Sequence, residues 1–180
     1  MREPVPAHLV VDDAVERVRT LADHQRIGLD VVAVDPRLTV LGDRRQLVNA
    51  LDNLLENAVK YSDEGSTVRV SATADDGLLA IAVEDHGIGI PTRDLERVFE
   101  RLYRVDRARA RDTGGTGLGL SIVRHVAHNH GGDVRVTSQE GRGSTFTLVL
   151  PPGPPTLAPA PRSSDVAVDR SLTAGSLPHG

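Results

Sequence analysis

Asn49, Asn53, Asn57 and Lys60 recur at helical spacing near the middle of the chain. At about 100° per residue, these four and Gln46 fall within roughly 40° of one line, while Leu47, Leu51, Leu54, Leu55 and Ala58 gather opposite. One face is core and the other is a stripe of amides, which either meets solvent or holds a ligand. Of the chain, 26% is charged, and a merely solvated face would sooner carry Arg, Asp and Glu than amides, which favour caps over helix interiors. Lys60 is the only lysine, and a compact ammonium suits phosphate as a point charge. Asp85 ends an apolar run and is followed by Gly87 and Gly89; its carboxylate could accept a hydrogen bond from a ligand amine or serve in an Asx turn. Gly114, Gly115, Gly117 and Gly119 make a glycine-rich loop that opens a helix. Such a loop offers free N–H groups to phosphate, with a flexible turn as the other reading. It lacks the Lys-Ser/Thr ending of a P-loop and follows a loop rather than a strand. Arg101, Arg104, Arg107, Arg109 and Arg111 form a basic run, either a solvated loop or an anion trap.

These residues need elements to hold them. Asp43 is a natural N-cap for the striped helix, and Ser62-Asp63-Glu64-Gly65 stops it after Tyr61. Upstream, Pro4 and Pro6 keep the start extended and residues 8–11 read as a short strand. Asp12 or Asp13 then caps a helix carrying Val15, Val18, Leu21 and Ala22. Residues 29–34 read as a buried β run and residues 38–41 as a second short strand. Residues 66–73 alternate as a strand, Asp75-Asp76-Gly77 turns a hairpin, and residues 78–83 return into Asp85. Pro91 and Asp94 open a helix with Leu95, Val98 and Phe99, and residues 105–112 read as a loop. A last helix carries Leu120, Val123, Val126 and Ala127 and ends at Asn129-His130-Gly131-Gly132, before a hairpin of residues 134–138 and 144–150. His125, His128 and His130 at that helix end have no neighbouring Cys or acid, so they are expected to complement the helix dipole rather than bind metal.

The chain of 180 residues is long enough for one domain with a sizeable core. A net charge of −4 offers no basic field for nucleic acid, and the absence of cysteine leaves no disulfide or thiol chemistry. No apolar run approaches the ~18 residues of a membrane span. The expected organisation is residues 1–7 as the end of a linker, 8–150 as the domain, and 151–180 as a disordered Pro/Ala/Ser-rich tail.

Several boxes then stand in one order. They are Asn53-Leu54-Leu55-Glu56-Asn57-Ala58-Val59-Lys60-Tyr61-Ser62, Asp85-His86-Gly87-Ile88-Gly89, Phe99-Glu100-Arg101-Leu102-Tyr103-Arg104, Gly115-Thr116-Gly117-Leu118-Gly119 and Gly141-Arg142-Gly143-Ser144-Thr145. Together they resemble the ATP-binding catalytic domain of bacterial two-component sensor histidine kinases. The wider superfamily includes gyrase, the Hsp90 chaperones and the MutL mismatch-repair ATPases. The resemblance implies a two-layer α/β sandwich, with a mixed, mainly antiparallel sheet covered by helices on one face.

By the same resemblance the cofactors are ATP and Mg2+. Asn57, helped by Asn53, would hold the metal, Lys60 would meet phosphate, Tyr61 would cover the adenine, and Asp85 would accept the adenine amine. Gly87 and Gly89 would shape the floor; Gly115, Thr116, Gly117, Leu118 and Gly119 would cradle phosphate; Thr145 would join the nucleotide contacts, and Arg104 would steady the γ-phosphate. True ATPases of the group carry a glutamate where Asn53 stands, and an amide takes no proton from water, so phosphoryl transfer is expected over hydrolysis. The acceptor histidine would lie on a dimerisation domain outside this chain, and a response regulator would be the final recipient. The chain resembles an excised module that is cytoplasmic and monomeric, from a homodimeric and membrane-anchored sensor, unable to phosphorylate itself alone. A stand-alone serine kinase of the anti-sigma-factor type, or a nucleotide-binding module without transfer activity, is the alternative.

Overall fold

Elements follow in the order β1 (Glu3–Pro6), α1 (Ala7–His24), β2 (Gly28–Val31), β3 (Thr39–Gly42), α2 (Arg44–Tyr61), β4 (Thr67–Asp75), β5 (Leu78–Asp85), α3 (Gly119–Asn129), β6 (Asp133–Gln139) and β7 (Gly143–Leu150). The structure is a computed structural model and describes residues 2–32, 34–75, 77–105 and 116–154. Five strands form one sheet in the order β2-β4-β5-β7-β6, and β1 pairs with β3 in a separate two-stranded ribbon. Among the described residues only β2 with β4 is parallel, and every other strand pairing is antiparallel. The expected mixed, mainly antiparallel sheet is present.

Period-two alternation sets one face of this sheet against the helices. On β5, Leu79, Ile81, Val83 and Asp85 are buried while their neighbours are half-exposed. Val68, Val70 and Ala72 on β4 and Phe146, Leu148 and Leu150 on β7 join the same core. Helix α2 lies across it with Leu47, Leu51, Leu54 and Leu55 almost wholly buried, each contributing about 1.5–3 kcal/mol of burial energy. The carboxylate of Asp43 caps that helix by accepting from the N–H groups of Arg45 and Gln46. These bonds, chiefly the one from Gln46, hold its carboxyl below the usual carboxylate range.

The chain start differs from expectation. Residues 8–11 are helical, α1 begins directly after Pro6, and Asp12 and Asp13 lie inside it with no capping role. Ala7, Val10, Val11, Ala14, Val15, Val18 and Ala22 are all buried, a spacing of three and four that a short window of residues 8–11 conceals. Residues 3–7, expected as linker, belong to the fold, since β1 pairs with β3 and the N–H of Ala7 donates to Leu38 O. Residues 29–34 were expected to be buried, yet β2 is an edge strand with Val31 and Val32 exposed. In place of a helix around Leu95, two short 3-10 turns stand at Thr92–Asp94 and Arg97–Phe99, where the Phe99 ring meets Phe146 edge-on at 6.2 Å.

At the other end, residues 151–154 continue the fold: Pro152 bridges Val40, and Gly153 N donates to Thr39 O at 2.7 Å. The rest of the expected tail, 155–180, lies outside the described residues, as do Asp76 of the hairpin turn and the greater part of the expected arginine loop.

Candidate functional site

The helix-facing side of the sheet turns polar at one end. Val83, Phe146 and Val136 form one cross-strand row, and the next row is Asp85, Ser144 and Ser138. Asp85 is therefore the continuation of a core stripe, 6% exposed, with a carboxylate where the pattern calls for an apolar side chain. Its Oδ1 accepts from Gly87 N at 3.0 Å and Ser144 N at 3.2 Å. Among the described residues Oδ2 has no hydrogen-bond partner. Burial pushes the carboxyl up from its ordinary value, against the pull of the two N–H groups. A buried carboxylate with one oxygen tied and one left over suits a ligand N–H.

Asp85 and Ser144 of that row form part of the wall of a cavity of about 500 Å³, in the range of small-molecule sites. Helix α2 supplies Asn53, Glu56, Asn57, Lys60 and Tyr61 as another wall. Only the second half of the amide stripe reaches it: Gln46 bonds back to Asp43, and Asn49 Oδ1 accepts from Arg17 of α1 at 2.8 Å. Asn53 Nδ2 donates to Asn49 O at 2.7 Å. A carbonyl can only accept, so this bond fixes the amide with its oxygen turned toward Gly119. A Cβ on Gly119 would lie 2.8 Å from Asn53 Oδ1, so glycine is what lets the start of α3 approach α2. No side chain among the described residues caps that start, leaving N–H groups for an anion.

Lys60 Nζ is bound to Glu56 Oε2 at 2.9 Å, one turn away on the same helix. A pair of this kind is worth about 0.3–0.5 kcal/mol, less than a charge-assisted bond to phosphate at about 1.5–3 kcal/mol, so the ammonium can transfer to a phosphate. Arg104, with Tyr103 and Val105, lines another side, and Thr116 and Gly117 line the edge before α3. Apolar contacts come from Ile88, Ile90, Pro91, Val98, Leu120 and Phe146. Among the described residues the cavity thus combines an apolar floor holding one buried acceptor with amides, two cations and an uncapped helix start.

The structure brings Asn53, Asn57, Lys60, Tyr61, Asp85, Gly89, Arg104, Thr116, Gly117 and Gly119 to this cavity. Gly115 lies outside the described residues. Gly87 and Leu118 do not line it. Gly87 instead joins elements: a Cβ there would fall 1.9 Å from Tyr61 O, the carbonyl that ends α2. Gly89, at φ 67°, sits against Gln139 O of the last hairpin. Thr145 is a correction. It pairs with Glu84 and Thr137 on the opposite face of the sheet, because period two points Ser144 and Phe146 inward. Ser144 was missed, though the buried alternation of Phe146, Leu148 and Leu150 points to it.

The histidines also need correction. His130 is buried, its Nε2 accepting from Asp43 N at 3.0 Å and its Nδ1 2.7 Å from Val126 O. An N–H can only donate and a carbonyl only accept, so the ring is neutral and ties α3 to the cap of α2. His128 has an acidic neighbour, Asp133, at 3.3 Å. Among the described residues no three His, Cys, Asp or Glu side chains cluster as metal ligands. A divalent cation in the cavity would rest on the amide oxygens of Asn53 and Asn57, on water and on substrate phosphates, a hard-oxygen set of the kind Mg2+ prefers. The residues fit.

Fold and site together define a nucleotide-binding α/β domain. Residues 42–154 match the family described as histidine kinase-, DNA gyrase B-, and HSP90-like ATPase, and the chain belongs to that family. Its sequence is 49% identical over 152 residues to the sensor-like histidine kinase SenX3 of Mycolicibacterium smegmatis, an overlap of 84% of this chain and 39% of SenX3. A solved mycobacterial sensor histidine kinase, MprB, matches with a TM-score of 0.74 at 36% identity, over 86% of this chain and 99% of that one. Full-length ShkA, solved in complex with AMPPNP, matches with a TM-score of 0.73 at 31% identity over 85% of this chain and 31% of ShkA. The chain spans about two fifths of the length of its curated relative SenX3.

Proposed function

We propose that this domain holds Mg2+-bound ATP and donates its γ-phosphoryl group to a histidine on a separate dimerisation domain, from which the phosphoryl passes to a response regulator. The observation that carries the nucleotide half is Asp85, buried beside an apolar floor with one carboxylate oxygen left for an exocyclic amine. Asn53 carries the kinase half. Its amide is locked by Asn49 O and cannot take a proton from water. That position therefore offers water no base, whereas an imidazole nitrogen brings its own lone pair to phosphorus.

In this reading the N–P bond forms as the bond from the γ-phosphorus to the β,γ-bridging oxygen breaks, and ADP leaves. Lys60 and Arg104 neutralise charge on the phosphates, the N–H groups opening α3 add theirs, and Asn53 and Asn57 orient the cation. The bound cation supplies charge neutralisation at the phosphate oxygens. The parent protein is proposed to be a membrane-anchored homodimer with this domain in the cytoplasm; among the described residues no helix is long and apolar enough to cross a membrane.

Incubating the chain with γ-labelled ATP, Mg2+ and a purified dimerisation domain tests the proposal. Acid-labile label on the acceptor histidine is expected. Acid-stable label on serine would favour the anti-sigma-factor type of kinase, and no label, with nucleotide bound, would favour a module without transfer activity.

A further inference from the structure

Asp94 carries a carboxyl group yet is only 7% exposed. It closes the short turn Thr92–Asp94, where its own N–H donates to Pro91 O at 2.8 Å. An aspartate in such a turn usually bonds a nearby backbone N–H through its carboxylate. This one does not: among the described residues its carboxylate accepts one hydrogen bond, from the Tyr103 hydroxyl to Oδ1 at 2.6 Å. Arg93 Nε stands 3.7 Å from Oδ2. Tyr103 is gripped on its ring as well, by the Arg97 guanidinium at 4.2 Å from the centroid.

The residue before Tyr103 shows why such a grip is needed. Leu102 has φ 63°, a backbone region that L-residues other than Asn and Asp seldom enter. The residue is 69% exposed, so burial of the leucine does not account for that conformation. Backbone bonds hold it from one side, Leu102 N donating to Gly117 O at 2.9 Å and Tyr103 N to Glu100 O at 3.3 Å. The phenol bonded to Asp94 holds it from the other. Residues 103–105 leave this point to form one side of the cavity, with Arg104 among them.

We propose that Asp94 is a positioning residue for nucleotide binding: its buried carboxylate anchors the Tyr103 hydroxyl and so fixes residues 103–105, and with them Arg104, on the phosphate side of the site. This rests on the nucleotide reading above. Asp94 itself touches no ligand and acts through Tyr103.

The test compares calorimetric titrations of the full chain and of Asp94→Ala, Asp94→Asn and Tyr103→Phe with MgATP and, separately, with adenosine. Asp94→Ala and Tyr103→Phe are expected to weaken MgATP by about tenfold, the weight of one charge-assisted hydrogen bond, and to leave adenosine unchanged. Asp94→Asn keeps an acceptor oxygen and is expected to recover most of the loss. A spectroscopic reading accompanies it. The hydrogen bond to Asp94 raises the Tyr103 phenol above its ordinary value, with burial and Glu100 adding to the shift and Arg97 opposing it. The ultraviolet titration step that vanishes in Tyr103→Phe should move down in Asp94→Ala. Tyr103→Phe removes only a hydroxyl, so the question stays decidable if Asp94→Ala fails to fold. MgATP affinity that is normal in Tyr103→Phe, or adenosine weakened as much as MgATP, would overturn the proposal and spare the nucleotide reading. No binding by the unaltered chain would overturn both.

Discussion

Replacing Asp85 by Asn separates a ligand-binding carboxylate from a merely structural one. The amide is isosteric, and its Oδ1 can keep the bonds from Gly87 N and Ser144 N. Its Nδ2 then stands where Oδ2 stood, so an N–H donor faces the amine of a bound adenine. The lost charge-assisted bond costs about 1.5–3 kcal/mol and two opposed donors about 1–3 kcal/mol more. A total near 3 kcal/mol corresponds to roughly a 150-fold rise in the Kd for ATP. Stability should move the other way. Burial raises the Asp85 carboxyl above its ordinary 3.8, so between that value and the raised one the native state holds more protons than the unfolded state. Stability of the unaltered protein therefore falls as pH rises through that window, and the variant lacks that slope. Calorimetric titration with MgATP and thermal melts across that window measure both effects. ATP affinity within a few-fold of the unaltered protein, or a variant that binds poorly because it is unfolded, would refute the assignment.

Asn57 makes no hydrogen bond within the protein among the described residues, so Asn57→Ala should shift stability by less than about 1 kcal/mol. It should nevertheless abolish the Mg2+ dependence of ATP binding, read by titrations with and without EDTA. In Gly87→Ala the new Cβ would lie 1.9 Å from Tyr61 O, prising the end of α2 from the loop after β5 and breaking the bond from Ile88 N to that carbonyl. About 3 kcal/mol of destabilisation is expected, a fall in Tm of roughly 10 °C by calorimetry. His130→Ala leaves Asp43 N–H without its partner and a void under Gly42, costing about 3 kcal/mol in denaturant unfolding with nucleotide contacts left in place.

What the sequence disclosed was local and periodic. The cap at Asp43, the core side of α2 and the alternation of β5 each depend on neighbours within one or two turns, so they read directly. Helix α1 was misplaced because Pro6 serves as its N-cap with no side-chain signal, and its seven buried residues only declare themselves over the whole length. The amide stripe was legible, but its division was not: Arg17 comes from another helix to claim Asn49. Asp85, Lys60 and Asn57 carried chemistry on their faces. The apolar walls, Ile90, Val98 and Phe146, did not, since such side chains serve core and pocket alike. Ser144 and Thr145 stand side by side, and only the strand register tells which faces the cavity. Asp94 was read as a helix opener because nothing nearby in the chain reveals its partner nine residues on.

The most direct measurement is an isothermal titration of the chain with ATP in Mg2+, repeated in EDTA. The proposal requires saturable one-to-one binding at about −4 to −8 kcal/mol that weakens sharply when the metal is withdrawn. An absence of binding heat in Mg2+, with a folded protein confirmed in the cell, would contradict it.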